Sequence, residues 1–283
     1  MRVLGIVVAL AVPALTLPRL PNVSWGPVVL GLLPWVAGKY LLCPLRWHAL
    51  SESGRRRWWH IRAYAESELL GLLTPGHVGA DLWRCKRLTG TGMPGGSAVA
   101  EVSLDRLVGA IGLAAFVVFA GAALPIRMLL TAVGLAAVAL LAVLVLRRLR
   151  PDLVPRRRLP RPRQLAHGIA LSMAYQLTIC ALLFGTVAAT GHTLSPLALL
   201  GAFGASQLAG AVPGPHGASP RDGALVMALM ALGLPWQAAL GAVSLKAALA
   251  WLPALALGGA SLLVARRAGH AMTLSRGTAT AAA

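Results

Sequence analysis

Five stretches, at about 26–46, 97–124, 127–146, 165–190 and 236–265, are apolar for long enough to cross a bilayer. A helical span takes about 20 residues, whereas a strand of a membrane barrel needs about half as many. Inside hydrocarbon every backbone N–H and C=O must find its partner within the protein, so stretches of this length fold as helices. The chain is therefore expected to be all-α and polytopic. Composition agrees, since 57% of the residues are hydrophobic and only 12% charged, against about 25% charged in soluble domains. A net charge of +18 would point to nucleic acid in a soluble protein. Here the arginines crowd into a few loops between apolar blocks, so no nucleic-acid partner is expected.

The five blocks do not close a topology alone. Met1-Arg2 followed by Val3–Leu17 reads as a short, uncleaved first helix. A cleaved signal peptide is the alternative, because Val12-Pro13-Ala14 resembles a cleavage site. Four shorter apolar pieces, 63–73, 82–90, 197–212 and 222–233, have lengths more common in re-entrant segments than in spans. They form two pairs around Pro75 and Pro213, each of which breaks a helix by removing a donor and crowding the previous turn. Gly76 and Gly79 near the first break, and Gly214 and Gly217 near the second, permit the tight reversal of a hairpin. The segments 46–62 and 147–163 carry five and eight arginines, which places both in the cytoplasm. About six transmembrane helices plus two re-entrant hairpins satisfy every assignment, with both termini cytoplasmic. Residues 1–266 then form one membrane domain and 267–283 a flexible cytoplasmic tail.

Part of the chain also occurs twice. Under a shift of 141, Gly92, Pro94 and Ala98 fall on Gly233, Pro235 and Ala239, and Val102-Ser103-Leu104 recurs as Val243-Ser244-Leu245. The same shift carries Asp81 onto Asp222. Loop charge gives the two halves, about 26–124 and 165–265, opposite directions through the membrane, which makes the repeat inverted. Broken segments at matching places in inverted halves are where transporters place their binding sites, and such halves exchange between two related conformations. A duplication kept only for packing is the alternative.

Only eight residues are acidic, and ionisable groups within a bilayer mark a pathway or a pair. Asp81 and Arg84 stand three apart after the first break, on one helix face; Arg221 and Asp222 stand at the second. Half-helices starting there would aim free N–H groups and a positive dipole end at an anion. With the two arginines they form a candidate site for a phosphate-bearing headgroup. The plainer reading has each acid capping its helix and each arginine at headgroup level. His77 and His216 follow the two breaks, either as titrating groups or as loop histidines bonded to backbone. Glu101 and Asp105 share a face of the helix 97–124 beside Arg106, and Asp105 falls on Lys246 under the 141 shift. An Asp105–Lys246 ion pair that opens in one conformation is predicted, with local neutralisation by Arg106 or a cytoplasmic arginine as the alternative. Glu66 and Glu68 either line a polar vestibule or face the loop arginines. Trp25, Trp47, Trp58, Trp59 and Trp236 fall where indoles anchor at an interface. The three cysteines have neither disulfide nor metal spacing. No metal, nucleotide or nucleophile motif occurs, so neither a metal, a cofactor nor an enzyme activity is expected.

These residues resemble a known family. Pro75-Gly-His-Val-Gly-Ala-Asp-Leu-Trp-Arg84 is similar to the Pro-Gly-x-x-Gly-Gly-Asp-x-x-Arg signature of the flippase-like family built on the lysylphosphatidylglycerol synthase transmembrane region. Leu104-Asp-Arg-Leu-Val-Gly109 resembles its Asp/Glu-Arg-Leu motif, and Pro213-Gly-Pro-His-Gly-Ala-Ser-Pro-Arg-Asp-Gly-Ala224 its second Pro/Gly-rich turn leading to Arg-Glu-x-Ala. The resemblance covers roughly 26–266. Ala80 replaces the second glycine, Asp222 stands where glutamate is usual, and Lys246 where arginine often appears. The resemblance implies a protein of the bacterial cytoplasmic membrane that moves or handles a lipid with an anionic or polyprenyl-linked headgroup. A membrane enzyme acting on a lipid-linked sugar or phosphate, with Asp81 or Asp222 as base, is the alternative. A non-transporting partner of a lipid-modifying enzyme is another, and a second copy of the chain is a further candidate partner. The small polar tail carries no expectation of a soluble aminoacyl-transferase domain, so transfer of lysine from tRNA is not expected.

Overall fold

A computed structural model describes residues 23–72, 74, 77–119, 160–209 and 219–264, with 141, 145 and 148 as isolated positions. The expected first helix, most of the block 127–146, most of the loop 147–163 and the tail lie outside the described residues. So do Pro75, Gly76, Pro213, Gly214, His216 and Gly217. The described chain folds into eight helices: α1 Trp25–Leu50, α2 Arg57–Leu72, α3 Val78–Thr89, α4 Gly95–Phe119, α5 Pro162–Ala189, α6 Pro196–Leu208, α7 Pro220–Ala231 and α8 Trp236–Val264. Four of them, α1, α4, α5 and α8, are long and apolar enough to cross a membrane. The protein is an all-α polytopic membrane protein.

The other four run 16, 12, 13 and 12 residues, short of the roughly 20 that a span needs. They pack as two pairs, α2 with α3 and α6 with α7, at the two places where proline breaks were read. The turn that follows each pair is the same turn made twice. Gly92 and Gly233 adopt φ of +92° and +93°, a region closed to most side chains. Their N–H groups donate to Thr89 O at 3.0 Å and Met230 O at 2.9 Å. The next helix then starts on Pro94 or Pro235, whose carbonyl accepts from Ala98 or Ala239 at 3.0 Å.

Close approach between α1 and α5 forms the most extensive helix seam among the described residues. A Cβ at Gly31 would meet Ala181 O at 2.5 Å, and one at Gly185 would run into Pro27 O. Without a hydrophobic drive between apolar helices in lipid, such small-residue contacts are how backbones gain packing energy. A second cluster joins α4 to α8 through Phe116, Leu183, Phe203, Leu225, Leu229 and Val243. Phe116 and Phe203 meet edge on at 6.0 Å.

Both α1 and α8 contain a π turn, Gly38–Leu42 and Ala254–Gly258. Pro34 and Pro253 lie inside these helices, and a local π adjustment accommodates the bonds that an interior proline disrupts. Such turns widen a helix by one residue and turn side chains away from their regular face. Here they turn Lys39, Tyr40 and Ala254 towards one cavity.

Candidate functional site

Two charged assemblies occupy the interior. The first is a locked cluster among α1, α3 and α4. Arg46 donates from Nε to Asp105 Oδ1 at 2.8 Å and from Nη2 to Oδ2 at 3.2 Å. From the other side Arg84 Nη2 donates to Asp105 Oδ2 at 2.6 Å. The Arg84 guanidinium lies 4.4 Å from the Trp47 ring and 5.3 Å from Tyr64. Asp105 has no exposed surface and Arg84 only 2%. One carboxylate thus holds two planar cations, one of them clamped by aromatic faces, an arrangement suited to guanidinium and not to ammonium.

This cluster corrects the predicted conformational pair. Asp105 does not meet Lys246; it is taken by Arg46 and Arg84, while Lys246 lies 3.6 Å from Asp222. Asp105 is saturated by two guanidinium groups from α1 and α3, which leaves no oxygen for Lys246. Among the described residues Glu101 pairs with no arginine. It accepts from the Trp47 indole at 2.9 Å, the Ser51 hydroxyl at 2.6 Å and the Glu52 N–H at 3.1 Å. Arg106 pairs instead with Asp81 at 2.9 Å. Trp47, expected at an interface, is fully buried, whereas Trp25, Trp58 and Trp236 are exposed.

The second assembly lines a cavity of about 110 Å³ between the two short-helix pairs. Lys39 reaches it from α1, Glu68 from α2, Arg221 from α7 and Lys246 from α8, with His77 ahead of α3. Lys39 Nζ is 2.8 Å from Glu68 and 5.7 Å from the Tyr175 ring. Tyr40, Tyr175, Trp35 and Phe203 supply the rest of the wall. Three cations against one carboxylate on the wall, with Asp222 behind Lys246, leave the cavity net positive. Burial lowers the His77 imidazole to about 4, so at pH 7 it is a neutral hydrogen-bonding group.

Of the predicted site residues, His77 and Arg221 line this cavity, and Asp222 touches it through Lys246. Asp81 and Arg84 do not; they face the locked cluster, where Arg84 also lies 3.9 Å from Asp81. At each helix start one N–H is taken by a side chain. Thr74 Oγ1 accepts from the Gly79 N–H at 2.8 Å. At α7, Ser219 Oγ accepts from the Asp222 N–H at 3.3 Å and donates to Asp222 Oδ2 at 2.6 Å. Asp222 therefore caps its helix, as the plainer reading held, and Asp81 does not. Gly79 serves close approach, since a Cβ there would lie 2.7 Å from Leu70 O and from Thr74 Oγ1. Lys39, Tyr40 and Tyr175 were missed. A lysine inside the otherwise uncharged stretch 26–45 was the signal that could have found the first of them.

The family described as the lysylphosphatidylglycerol synthase TM region matches residues 2–258. No curated protein and no solved structure matches the chain.

Proposed function

We propose, for a chain that belongs to the lysylphosphatidylglycerol synthase transmembrane-region family, that it translocates a lipid across the bacterial cytoplasmic membrane. The anionic headgroup is held in the cavity between the two hairpins. The observation that carries this reading is the convergence of Lys39, Arg221 and Lys246, from three different helices, on one small cavity. A volume of about 110 Å³ suits a headgroup phosphate with a few waters, each of which takes about 30 Å³ in the liquid. The repeated turn at Gly92 and Gly233 supports two halves of common origin. In our reading they cross the membrane in opposite senses, the hairpins are re-entrant from opposite faces, and the cavity opens to each side in turn.

Transport, and not chemistry, is favoured by how the two candidate bases are held. Asp81 is engaged by Arg106, and Asp222 by Ser219 and Lys246. The test is leaflet sidedness. Vesicles carrying the full chain should flip fluorescent phosphatidylglycerol, and Lys39→Gln or Lys246→Gln should reduce that rate at least tenfold at unchanged protein content. Wild-type rates in both variants would remove the cavity from the mechanism. Cysteines in place of Arg55 and Arg157 should react only with reagents on the cytoplasmic side, and labelling from outside would overturn the proposed orientation.

A further inference from the structure

The charged cavity is far too small for the tails of a lipid, so any headgroup it holds must leave acyl chains in an adjoining apolar slot. Two apolar grooves are present among the described residues. One, of about 590 Å³, runs between α1, α5 and α6 past Leu30, Cys180 and Phe184. It has no wall residue in common with the charged cavity. The other, of about 340 Å³, lies between α2 and α8 and is lined by Ile61, Ala65, Leu257, Ala260 and Val264. Tyr40 lines both this groove and the charged cavity. Leu257, Val264 and Trp58 are exposed along the groove, and Arg62 lines it beside Trp58.

Resting on the headgroup reading of the cavity, we infer that the α2–α8 groove is the binding slot for an acyl chain of the transported lipid, with Tyr40 as the wall between headgroup and tail. Continuity through one side chain favours this groove over the larger one. The seam closes tightly at one point. It contains the α8 π turn, where a Cβ at Gly258 would lie 2.6 Å from Ala65 O and 3.0 Å from Leu69 Cβ. The first π turn carries Tyr40 itself. Side-chain bonds across the seam are few: Ser261 Oγ donates to Glu66 at 2.9 Å and accepts from Arg62 at 3.4 Å. Arg62 and Trp58 lie together on the α2 side, a cation and an amphipathic ring of the kind that settle at the headgroup level of a bilayer.

The experiment uses the full chain in detergent micelles with two probes, dioleoyl phosphatidylglycerol carrying a diazirine in mid-chain and the soluble headgroup glycerophosphoglycerol. Photolabelling of the wild type should fall on peptides holding Ile61, Leu257 and Ala260. Ala260→Trp, which fills the groove from an exposed position, should weaken the diacyl lipid at least tenfold and leave glycerophosphoglycerol binding unchanged. Lys246→Gln should weaken both probes. Labels on Leu30 and Phe184 instead, with wild-type lipid affinity in Ala260→Trp, would overturn the groove assignment and leave the headgroup site standing. Glycerophosphoglycerol affinity unchanged in Lys246→Gln would overturn the headgroup reading, and this inference with it.

Discussion

The two hairpin regions share a turn but not a charge pattern. Around α2 and α3 the first half carries ion pairs of Asp105 with Arg46 and Arg84, of Asp81 with Arg106, and of Glu66 with Arg87. Among the described residues of the second half, around α6 and α7, Asp222 lies 3.6 Å from Lys246. Backbone geometry is alike at the two glycines, while the charged side chains between the helices differ. In the first half Asp105 is held by two buried arginines, which cannot shed their charge, and Lys39 pairs with Glu68 at 2.8 Å. In the second half Asp222 lies 3.6 Å from a lysine, which can shed its charge. This difference predicts that Asp105 holds its surroundings more firmly than Asp222 does.

The comparison breaks most visibly at Asp105. Asp105→Asn strands two buried guanidinium groups, and removing one member of a buried pair costs about 3–5 kcal/mol. Thermal unfolding in detergent should fall steeply, and an unchanged midpoint would mean that the cluster does not fasten the first half. Asp222→Asn should cost less, about 1–2 kcal/mol, because the amide oxygen can still accept from the Ser219 N–H. A loss equal to that of Asp105→Asn would erase the proposed difference between the halves. The shared turn is sharpened by Gly92→Ala and Gly233→Ala. Each forces a side chain into a positive-φ conformation at about 1–2 kcal/mol, and the two losses should agree within error. A large loss at one glycine alone would show that the two turns no longer do the same work.

Much of the fold could be read from the sequence because long apolar blocks have one structural solution in lipid. The blocks 26–46, 97–124, 165–190 and 236–265 became α1, α4, α5 and α8, and the short pieces became paired helices at the expected breaks. The site was read less well. The signature residues Asp81 and Arg84 drew attention by their spacing, yet their spacing placed them on the α3 face turned towards α4. His77 and Arg221 were found because they adjoin the breaks. Lys39 escaped because periodicity assumes regular turns, and a π turn shifts the face on which a side chain emerges.

By itself the sequence determined an all-helical membrane protein, its four described spans, two hairpins and one turn used twice, since hydrocarbon leaves the backbone no alternative and glycine alone tolerates those φ values. Which charge meets which was decided only by the tertiary structure. Arg46 lies 59 positions before Asp105, and the cavity draws its lysines from opposite ends of the chain. Pairing at such separations depends on how helices rotate against each other, and that rotation is set by Gly31, Gly185 and the two π turns acting together.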